Sequence, residues 1–393
     1  MKFLFVVQGE GRGHMTQALT LASMLRSRGH ELVGVLVGKS RLRQLPRFFS
    51  EGIGCELQMF TSPNFLASRK SGRAGIAATA VFNSRQLLQY RRSMLFLKHA
   101  IDESGADRVV NFFDVLTGLT YALYRPRVPQ YCIGHQYVFL HHSHRLTGID
   151  RLQLESLRFY TRLTALGAQE CLALSFCPMD DDAEMRISVV PPLLRQAVLD
   201  AVPSRGDYIH GYMLNPGFAL GLEQWHEEHP EVPLHFFWDK PGEPAHKQVD
   251  ATLEYFTLDD RLFIEQLAGC LAYACTAGFE SVCEAMYLGK PVMMVPAHVE
   301  QECNACDAVC HGAGIAARGF ELDRLLGFAL TYEPKGEFRA WVEQAEGRIV
   351  ELLTRQSPYP TPSLLRTQVR LPRRVQHLRH LARQYYTRLQ RSI

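Results

Sequence analysis

The chain has 393 residues, 47% of them hydrophobic, and a formal net charge of +3. This length suits two or three domains with buried cores, and the nearly balanced charge gives no argument for a nucleic-acid partner, so none is expected. Ten scattered cysteines, without the paired spacing of small secreted modules, predict reduced thiols and a cytoplasmic protein. The first apolar run, residues 3–7, is too short for a signal peptide, and no run is long enough to cross a bilayer.

The first forty residues have the pattern of a doubly wound α/β fold. Residues 3–7 predict a buried strand, the glycine-rich residues 9–13 predict a loop, and the following apolar periodicity predicts a helix that ends at Gly29. Residues 31–37 predict the second strand. No acidic residue ends that strand, so the dinucleotide fingerprint is incomplete and a dehydrogenase is disfavoured.

Three polar residues of the first half follow apolar strands. Asp114 comes after the apolar run 109–113, and His135 and Gln136 follow the next run. Ligands of open α/β sheets bind at the carboxyl ends of strands, so we expect His135 and Gln136 to line an acceptor cleft. The four histidines between residues 131 and 144 lack cysteines or carboxylates at matching spacing, and no metal is expected.

The chain divides into three parts near residues 200 and 354. The sequence predicts a first Rossmann-like domain over residues 1–200, a hinge up to Arg205, a second Rossmann-like domain over 206–353 and a basic tail over 354–393. Asn215 follows the first strand of the second domain, and its turn is expected to face the cleft between the domains.

Residues 275–305 carry the strongest chemical signal. An apolar strand leads into the turn 276–278, a helix that ends at Gly289, a second strand and a loop with polar side chains. The helix N-terminus has unsatisfied N–H groups and partial positive charge, so it is suited to a phosphate. Glu284, one helical turn further on, can accept hydrogen bonds from two sugar hydroxyls.

This segment resembles the donor-binding signature of nucleotide-sugar glycosyltransferases of the GT-B fold. The plant-type enzymes have HCGWNSxxE followed by DQxxNA, and this chain has TAGFESVCE followed by EQECNA. The resemblance implies phosphate contacts near Gly278 and Ser281, ribose binding by Glu284, and sugar binding by the later residues. It departs from the family at Thr276, which replaces a histidine, and at Glu280, which replaces an asparagine. The donor residues implied are Thr276, Ala277, Gly278, Phe279, Ser281, Glu284, Glu300, Gln301 and Asn304.

The opening GEGRGH also resembles these enzymes, in which a loop histidine after the first strand faces the cleft. The resemblance places Gly11 and Gly13 in that cleft loop and makes His14 the general base. A carboxylate orients this histidine in the plant-type enzymes, and Asp114 is the candidate here, with a helix cap as its other interpretation.

The fold class that the resemblance implies is α/β, a GT-B fold of two Rossmann-like domains whose parallel sheets face a cleft. The implied function is an inverting, metal-independent transfer of a sugar from a nucleoside diphosphate, UDP by preference, to an acceptor hydroxyl. The nucleotide-sugar is a substrate, so no cofactor is expected. Two alternatives stay open: an isomerase similar to the nucleotide-sugar 2-epimerases, and a non-catalytic nucleotide-sugar binding protein.

The tail, residues 364–393, holds eight arginines and no acidic residue, with apolar residues at helical spacing. In the GT-B fold a last helix commonly packs back on the first domain, which accounts for the apolar positions. The arginines leave open a peripheral contact with anionic lipid at the inner face of the membrane, and with it a lipid or lipid-linked acceptor.

Overall fold

The computed structural model describes residues 1–40, 45–63, 86–213, 216–240 and 242–359. One compact unit spans Met1–Pro360, and a second, Thr361–Ile393, lies outside the described residues. The predicted contact of the tail with the first domain or with lipid, and the predicted role of Asn215, therefore fall outside the described part of the chain.

The first sheet contains seven strands in the order β3-β2-β1-β4-β5-β6-β7, and all its pairings are parallel. Apart from the edge strand β3, which is partly exposed, its strands are short runs buried on both faces, as expected where helices cover a parallel sheet on both sides. They are β1 Lys2–Gln8, β2 Glu31–Lys39, β3 Leu57–Thr61, β4 Arg108–Phe112, β5 Gln130–Gly134, β6 Ala168–Leu174 and β7 Ile187–Val190.

The second sheet also has seven strands, in the order β10-β11-β9-β8-β12-β13-β14. Its pairings are parallel except that β10 is antiparallel to β11 at one edge. The strands are β8 Ile209–Met213, β9 Leu234–Trp238, β10 His246–Gln248, β11 Leu253–Thr257, β12 Ala272–Cys275, β13 Val292–Met294 and β14 Gly314–Ala316.

Helices connect most of the parallel strands, and two 3₁₀ segments, His135–Leu140 and Pro216–Phe218, follow β5 and β8. The described helices are α1 Arg12–Ser27, α2 Arg47–Gly52, α3 Leu87–Glu103, α4 Val115–Tyr124, α5 Arg151–Thr164, α6 Gln196–Leu199, α7 Ala219–Glu228, α8 Asp260–Gly269, α9 Phe279–Tyr287, α10 Val299–Cys310, α11 Leu322–Ala329, α12 Gly336–Val342 and α13 Ala345–Thr354. None of the helices in these described ranges is long and apolar enough to cross a bilayer.

The two sheets belong to domains that pack against each other. One cluster of buried apolar side chains includes Phe112 and Ile133 of the first sheet together with Tyr273 and Val282 of the second half. The sheets separate between β7 and β8, which is where the sequence predicts the hinge, although the exact domain limits stay a prediction.

Two predicted loops are helical. Helix α1 already begins at Arg12, so Gly13 and His14 lie in its first turn, and extended Gly11 is its N-cap. The polar residues after β13 were predicted in a loop, but they lie on α10. The helix is favoured because Gln301, Cys303, Asn304 and Ala305 are buried in its packing, so tertiary contacts outweigh the polar composition.

Candidate active site

The carboxyl ends of the central strands of both sheets lead into the predicted site residues. The turn after β1 leads to His14, the end of β4 to Asp114, and the turn after β12 to the N-terminus of α9. Parallel strands end at the same edge of their sheet, which is why residues distant in sequence meet there.

His14 lies in the first turn of α1 with its ring against Phe113, the centroids being 5.5 Å apart and the planes 27° apart. Its Nδ1 donates to Gln17 Oε1 at 3.3 Å. Burial lowers the pKa of His14, and the negative charge of Glu300 opposes this only partly. The imidazole is therefore neutral at neutral pH, as a general base must be.

Asp114 is the N-cap of α4 and is completely buried. Its Oδ1 accepts from the backbone N and from Oγ1 of Thr117, both at 2.8 Å, and its Oδ2 accepts from Ser62 Oγ at 2.6 Å. Burial raises its pKa against these hydrogen bonds. In the described residues its carboxylate is thus held by Ser62 and Thr117, and the orientation of His14 by Asp114 stays a prediction.

The turn before α9, residues 276–278, positions the N-terminus of that helix. Gly278 is the N-cap in extended conformation, with no hydrogen bond from a capping side chain. Ala277 has φ of +57°, a left-handed conformation that a non-glycine residue rarely adopts outside functional turns. Asn304 Nδ2 donates to the carbonyl of Ala277 at 3.1 Å and supports that turn, while Ser281 Oγ bonds back to Gly278 O at 3.3 Å.

Glu284 is buried and paired with an arginine of the hinge. Arg195 donates from Nε to Glu284 Oε1 at 2.7 Å and from Nη2 to Oε2 at 2.8 Å. Arg195 also contacts Asp260 at 3.2 Å, and Asp260 contacts Arg12 at the start of α1, again at 3.2 Å. An ion-pair network therefore joins the hinge, both domains and the carboxylate predicted to bind ribose.

The predicted sugar-binding residues of α10 face different partners. Glu300 accepts from Nε2 of Gln136 in the first domain at 2.8 Å. Gln301 Oε1 accepts from the backbone N of Ala297 at 2.8 Å, which fixes the approach to the helix. This bond brings Gln136, predicted to line the acceptor cleft, next to Glu300 of the second domain.

His135 connects the first domain to helices α9 and α10. Its ring stacks on Phe279 at a centroid distance of 3.9 Å and an angle of 13°, and its Nδ1 bonds to the carbonyl of Leu174 at 2.7 Å. Its Nε2 lies 3.6 Å from Asp307, which also contacts His144 at 3.1 Å and His311 at 3.4 Å.

Glu280 lies in the first turn of α9 and faces the first domain. Its Oε1 accepts from Nε2 of Gln17, and a side chain added at Gly13 would collide with its carboxylate. Burial raises the pKa of Glu280 to about 7, and the charges of Glu284 and Glu300 add to the increase.

Sequence reasoning missed four residues of this site: Gln17, Arg195, Asp260 and Asp307. Gln17 has a local signal, because it follows His14 by three residues and so shares its helix face. Arg195 in the hinge and Asp260 at the start of α8 have none, since only the packing of the domains brings them to Glu284.

Among the described residues, one group has metal-ligand chemistry: His141, His142 and Asp182, whose ligand atoms lie within 4.8 Å of one another. Ordinary hydrogen bonds already use these atoms. His142 Nδ1 bonds to Asp182 Oδ2 at 2.9 Å, and His141 Nε2 bonds to the carbonyl of Asp180 at 2.8 Å. We assign no metal to this group, and metal independence stays a prediction.

Comparison with known proteins gives one family. The family model described as "Glycosyl transferase family 1" matches residues 1–329. No curated protein matches the chain significantly.

Several solved structures share the fold. A glycotransferase of kitacinnamycin is 17% identical with a TM-score of 0.63, over 91% of this chain and 99% of that chain. MurG of Acinetobacter baumannii is 15% identical with a TM-score of 0.52, over 90% of this chain and 99% of that chain. Spinosyn rhamnosyltransferase SpnG, solved with thymidine diphosphate, is 14% identical with a TM-score of 0.53, over 89% and 96%. These likenesses confirm the predicted fold of two facing Rossmann-like domains.

Proposed function

The chain belongs to glycosyl transferase family 1 and is a GT-B glycosyltransferase, and we propose that it moves a sugar from a nucleoside diphosphate to an acceptor hydroxyl with inversion. UDP is the nucleotide expected from the sequence signature, and no metal takes part. The observation that carries the proposal is the uncapped N-terminus of α9, with Glu284 one turn inside it and His14 across the domain contact.

The diphosphate is expected at the N-terminus of α9. The N–H groups of a helix N-terminus and the helix macrodipole stabilise an anion, and they also stabilise the charge that the departing diphosphate gains. Thr276 and Ser281 are the hydroxyl-bearing residues of this turn. The co-structure of the spinosyn enzyme with thymidine diphosphate supports a nucleoside diphosphate as the class of ligand.

Glu284 is expected to bind the ribose hydroxyls. An ionised carboxylate has about four acceptor positions, and Arg195 uses one on each oxygen, so each oxygen retains one for a hydroxyl. Arg195 then holds the buried carboxylate in a fixed orientation. Glu300, Gln301 and Asn304 are proposed to bind the transferred sugar.

His14 is proposed to take the proton of the acceptor hydroxyl as that hydroxyl attacks the anomeric carbon. Since Nδ1 donates to Gln17, Nε2 has the lone pair that a general base needs. The acceptor class is a hydroxyl compound, and a lipid or lipid-linked acceptor at the inner face of the membrane stays a hypothesis that rests on the arginines of the tail.

The donor site can be tested by thermal shift with UDP, dTDP, GDP and ADP. The wild type should be stabilised by one of these nucleotides through mass action, and Glu284→Ala should lose that shift. Glu265→Ala is the matched control, because Glu265 is an exposed carboxylate on α8 that pairs with Arg261. If no nucleotide shifts the wild type, or if Glu284→Ala binds normally, the proposed donor site is wrong.

The base can be tested with His14→Ala once a donor and an acceptor are known. We expect turnover to fall by about 10²-fold or more, while the thermal shift with the nucleotide is kept. An unchanged rate would remove His14 from the mechanism. Conversion of the donor in the absence of any acceptor would indicate the isomerase instead.

A further inference from the structure

A hydrogen-bonded chain crosses the contact between the domains at the proposed base. His14 Nδ1 bonds to Gln17 Oε1 at 3.3 Å, and Gln17 Nε2 bonds to Glu280 Oε1 on α9. Gln17 is almost fully buried, with 1% of its surface exposed, so water does not replace either partner. The amide of Gln17 thus links the imidazole of His14 in the first domain to the carboxylate of Glu280 in the second.

The direction of this chain depends on the ionisation of Glu280. An ionised carboxylate only accepts, so it requires the amide NH₂ of Gln17 on its side. The amide oxygen then faces His14, where it requires the proton on Nδ1. Nε2 is left with a lone pair, and the ring is in the tautomer of a general base.

Protonation of Glu280 permits the opposite arrangement. A carboxylic O–H donates to the amide oxygen, and after a 180° rotation of the amide its NH₂ donates to His14 Nδ1. The ring proton then lies on Nε2, and the ring has no lone pair to offer the acceptor. No proton crosses the amide in this exchange, because the imidazole and the carboxylate each exchange protons with solvent.

We propose that Gln17 and Glu280 are positioning residues that hold His14 in the tautomer with a free Nε2. The proposal rests on His14 as the base of the proposed function. It assigns the task for which the sequence suggested Asp114 to an amide of the same domain, Gln17, and a carboxylate of the opposite domain, Glu280.

The surroundings of the chain support this assignment. Asp114 is committed to Ser62 and Thr117, so among the described residues Gln17 is the hydrogen-bond partner of the His14 ring. The ring otherwise faces Phe113 and the charge of Glu300.

Glu280 faces Gln17 and Gly13 of the first domain and the charges of Glu284 and Glu300 of its own. Its own backbone N–H and Gln17 stabilise the ionised form, but burial outweighs them and raises its pKa to about 7. Because the pKa of His14 is lowered, a window near neutral pH exists in which Glu280 titrates while the imidazole stays neutral.

The test is ¹⁵N NMR of histidine-labelled protein, with His14→Gln identifying the His14 signals. In the wild type we expect Nδ1–H at about pH 8, and between about pH 6 and pH 8 we expect a step in both ring-nitrogen shifts that follows Glu280. Glu280→Gln should remove the step. Gln17→Met, similar in shape but without hydrogen bonds, should remove it as well, and Glu265→Gln should keep it.

A step that persists in Glu280→Gln, or an Nε2–H tautomer in the wild type at about pH 8, would overturn the proposal. Circular dichroism and melting temperatures show whether each variant is folded. The measurement needs no substrate, so it is independent of the nucleotide thermal shift: failure to bind nucleotide would refute the proposed donor site and leave the tautomer result standing.

Discussion

Two buried carboxylates at the contact between the domains behave in opposite ways. Asp307 on α10 faces three imidazoles, and hydrogen bonds from His144 and His311 hold its pKa well below the usual range. Glu280 on α9 faces an amide instead, and burial raises its pKa to about 7. Both carboxyl groups are buried, so the difference between their pKa values comes from their hydrogen-bond partners and not from the extent of burial.

The difference distinguishes a charge cluster that stabilises the contact between the domains, around Asp307, from a carboxylate at the proposed active site, Glu280. The group around Asp307 has matched charges and joins the domains through residues of both. The group around Glu280 leaves a carboxylate without a cation, next to the residue proposed as base. Such uncompensated groups reduce stability and are typical of functional sites, where ionisation near neutral pH is useful.

The largest expected effect is that of Asp307→Asn, which removes the charge that His311 faces. The side chains of Asp307 and His144 are only 5% and 6% exposed, and breaking such a buried pair costs about 3 kcal/mol, so the melting temperature at neutral pH should fall clearly. Asp323→Asn is the control, since Asp323 has a similar contact with His229 at 3.4 Å but is 66% exposed, and no measurable change is expected.

The stability from the Asp307 pair should also depend on pH. The pKa of Asp307 is lowered by folding, so its contribution is present above the unfolded value near 4 and is lost as the pH falls. Asp307 and Cys177 raise the pKa of His311 to about 10, so its contribution is present below about 6.5 and is lost as the pH rises through 10. Equal melting temperatures of the wild type and Asp307→Asn at neutral pH would refute this stabilising role of Asp307.

A smaller loss of stability is expected for Arg195→Met. This substitution leaves the Glu284 carboxylate without a cationic partner, as Glu280 already is. The side chain of Arg195 is 21% exposed and that of Glu284 is 2% exposed, so water reaches one partner and we expect a cost of about 2 kcal/mol. Double substitution with Glu284→Gln should recover part of this stability, because no unpaired charge is then buried. Arg261→Ala, which removes an exposed pair on α8, is the control and should leave the melting temperature unchanged.

The smallest effect, and one of opposite sign, is expected for Glu280→Gln. Folding raises the pKa of Glu280 from 4.5 to about 7. The fold therefore loses stability as the pH rises from about 4.5, and this loss is complete above about pH 7. This pKa difference corresponds to about 3 kcal/mol. Burying the glutamine NH₂ in place of a carboxylate oxygen offsets part of it, so the variant should be more stable than the wild type by on the order of 1 kcal/mol at about pH 8, and the gain should vanish as the pH falls towards about 4. A variant less stable than the wild type at both values would show that the carboxylate is structurally required.

Local sequence patterns were enough for much of the fold. The strands predicted at residues 3–7 and 31–37 agree within two residues with β1 and β2, because short apolar runs between turn residues specify buried strands. The predicted end of α9 is confirmed by Gly289, whose φ of +69° is the left-handed conformation of a helix C-terminus. The signature residues of α9 and α10 were also evident, since they follow one another in a short stretch.

What the sequence by itself determined is therefore whatever depends on neighbouring residues: strands, turns, the N-terminus of α9 and the family signature. The tertiary structure alone decided the partners of the buried charges. Gln17 meets Glu280 across 263 residues and Arg195 meets Glu284 across 89. Such contacts form only after two domains have packed. Local sequence periodicity cannot predict them, because their energy comes from burial and charge at a shared interface.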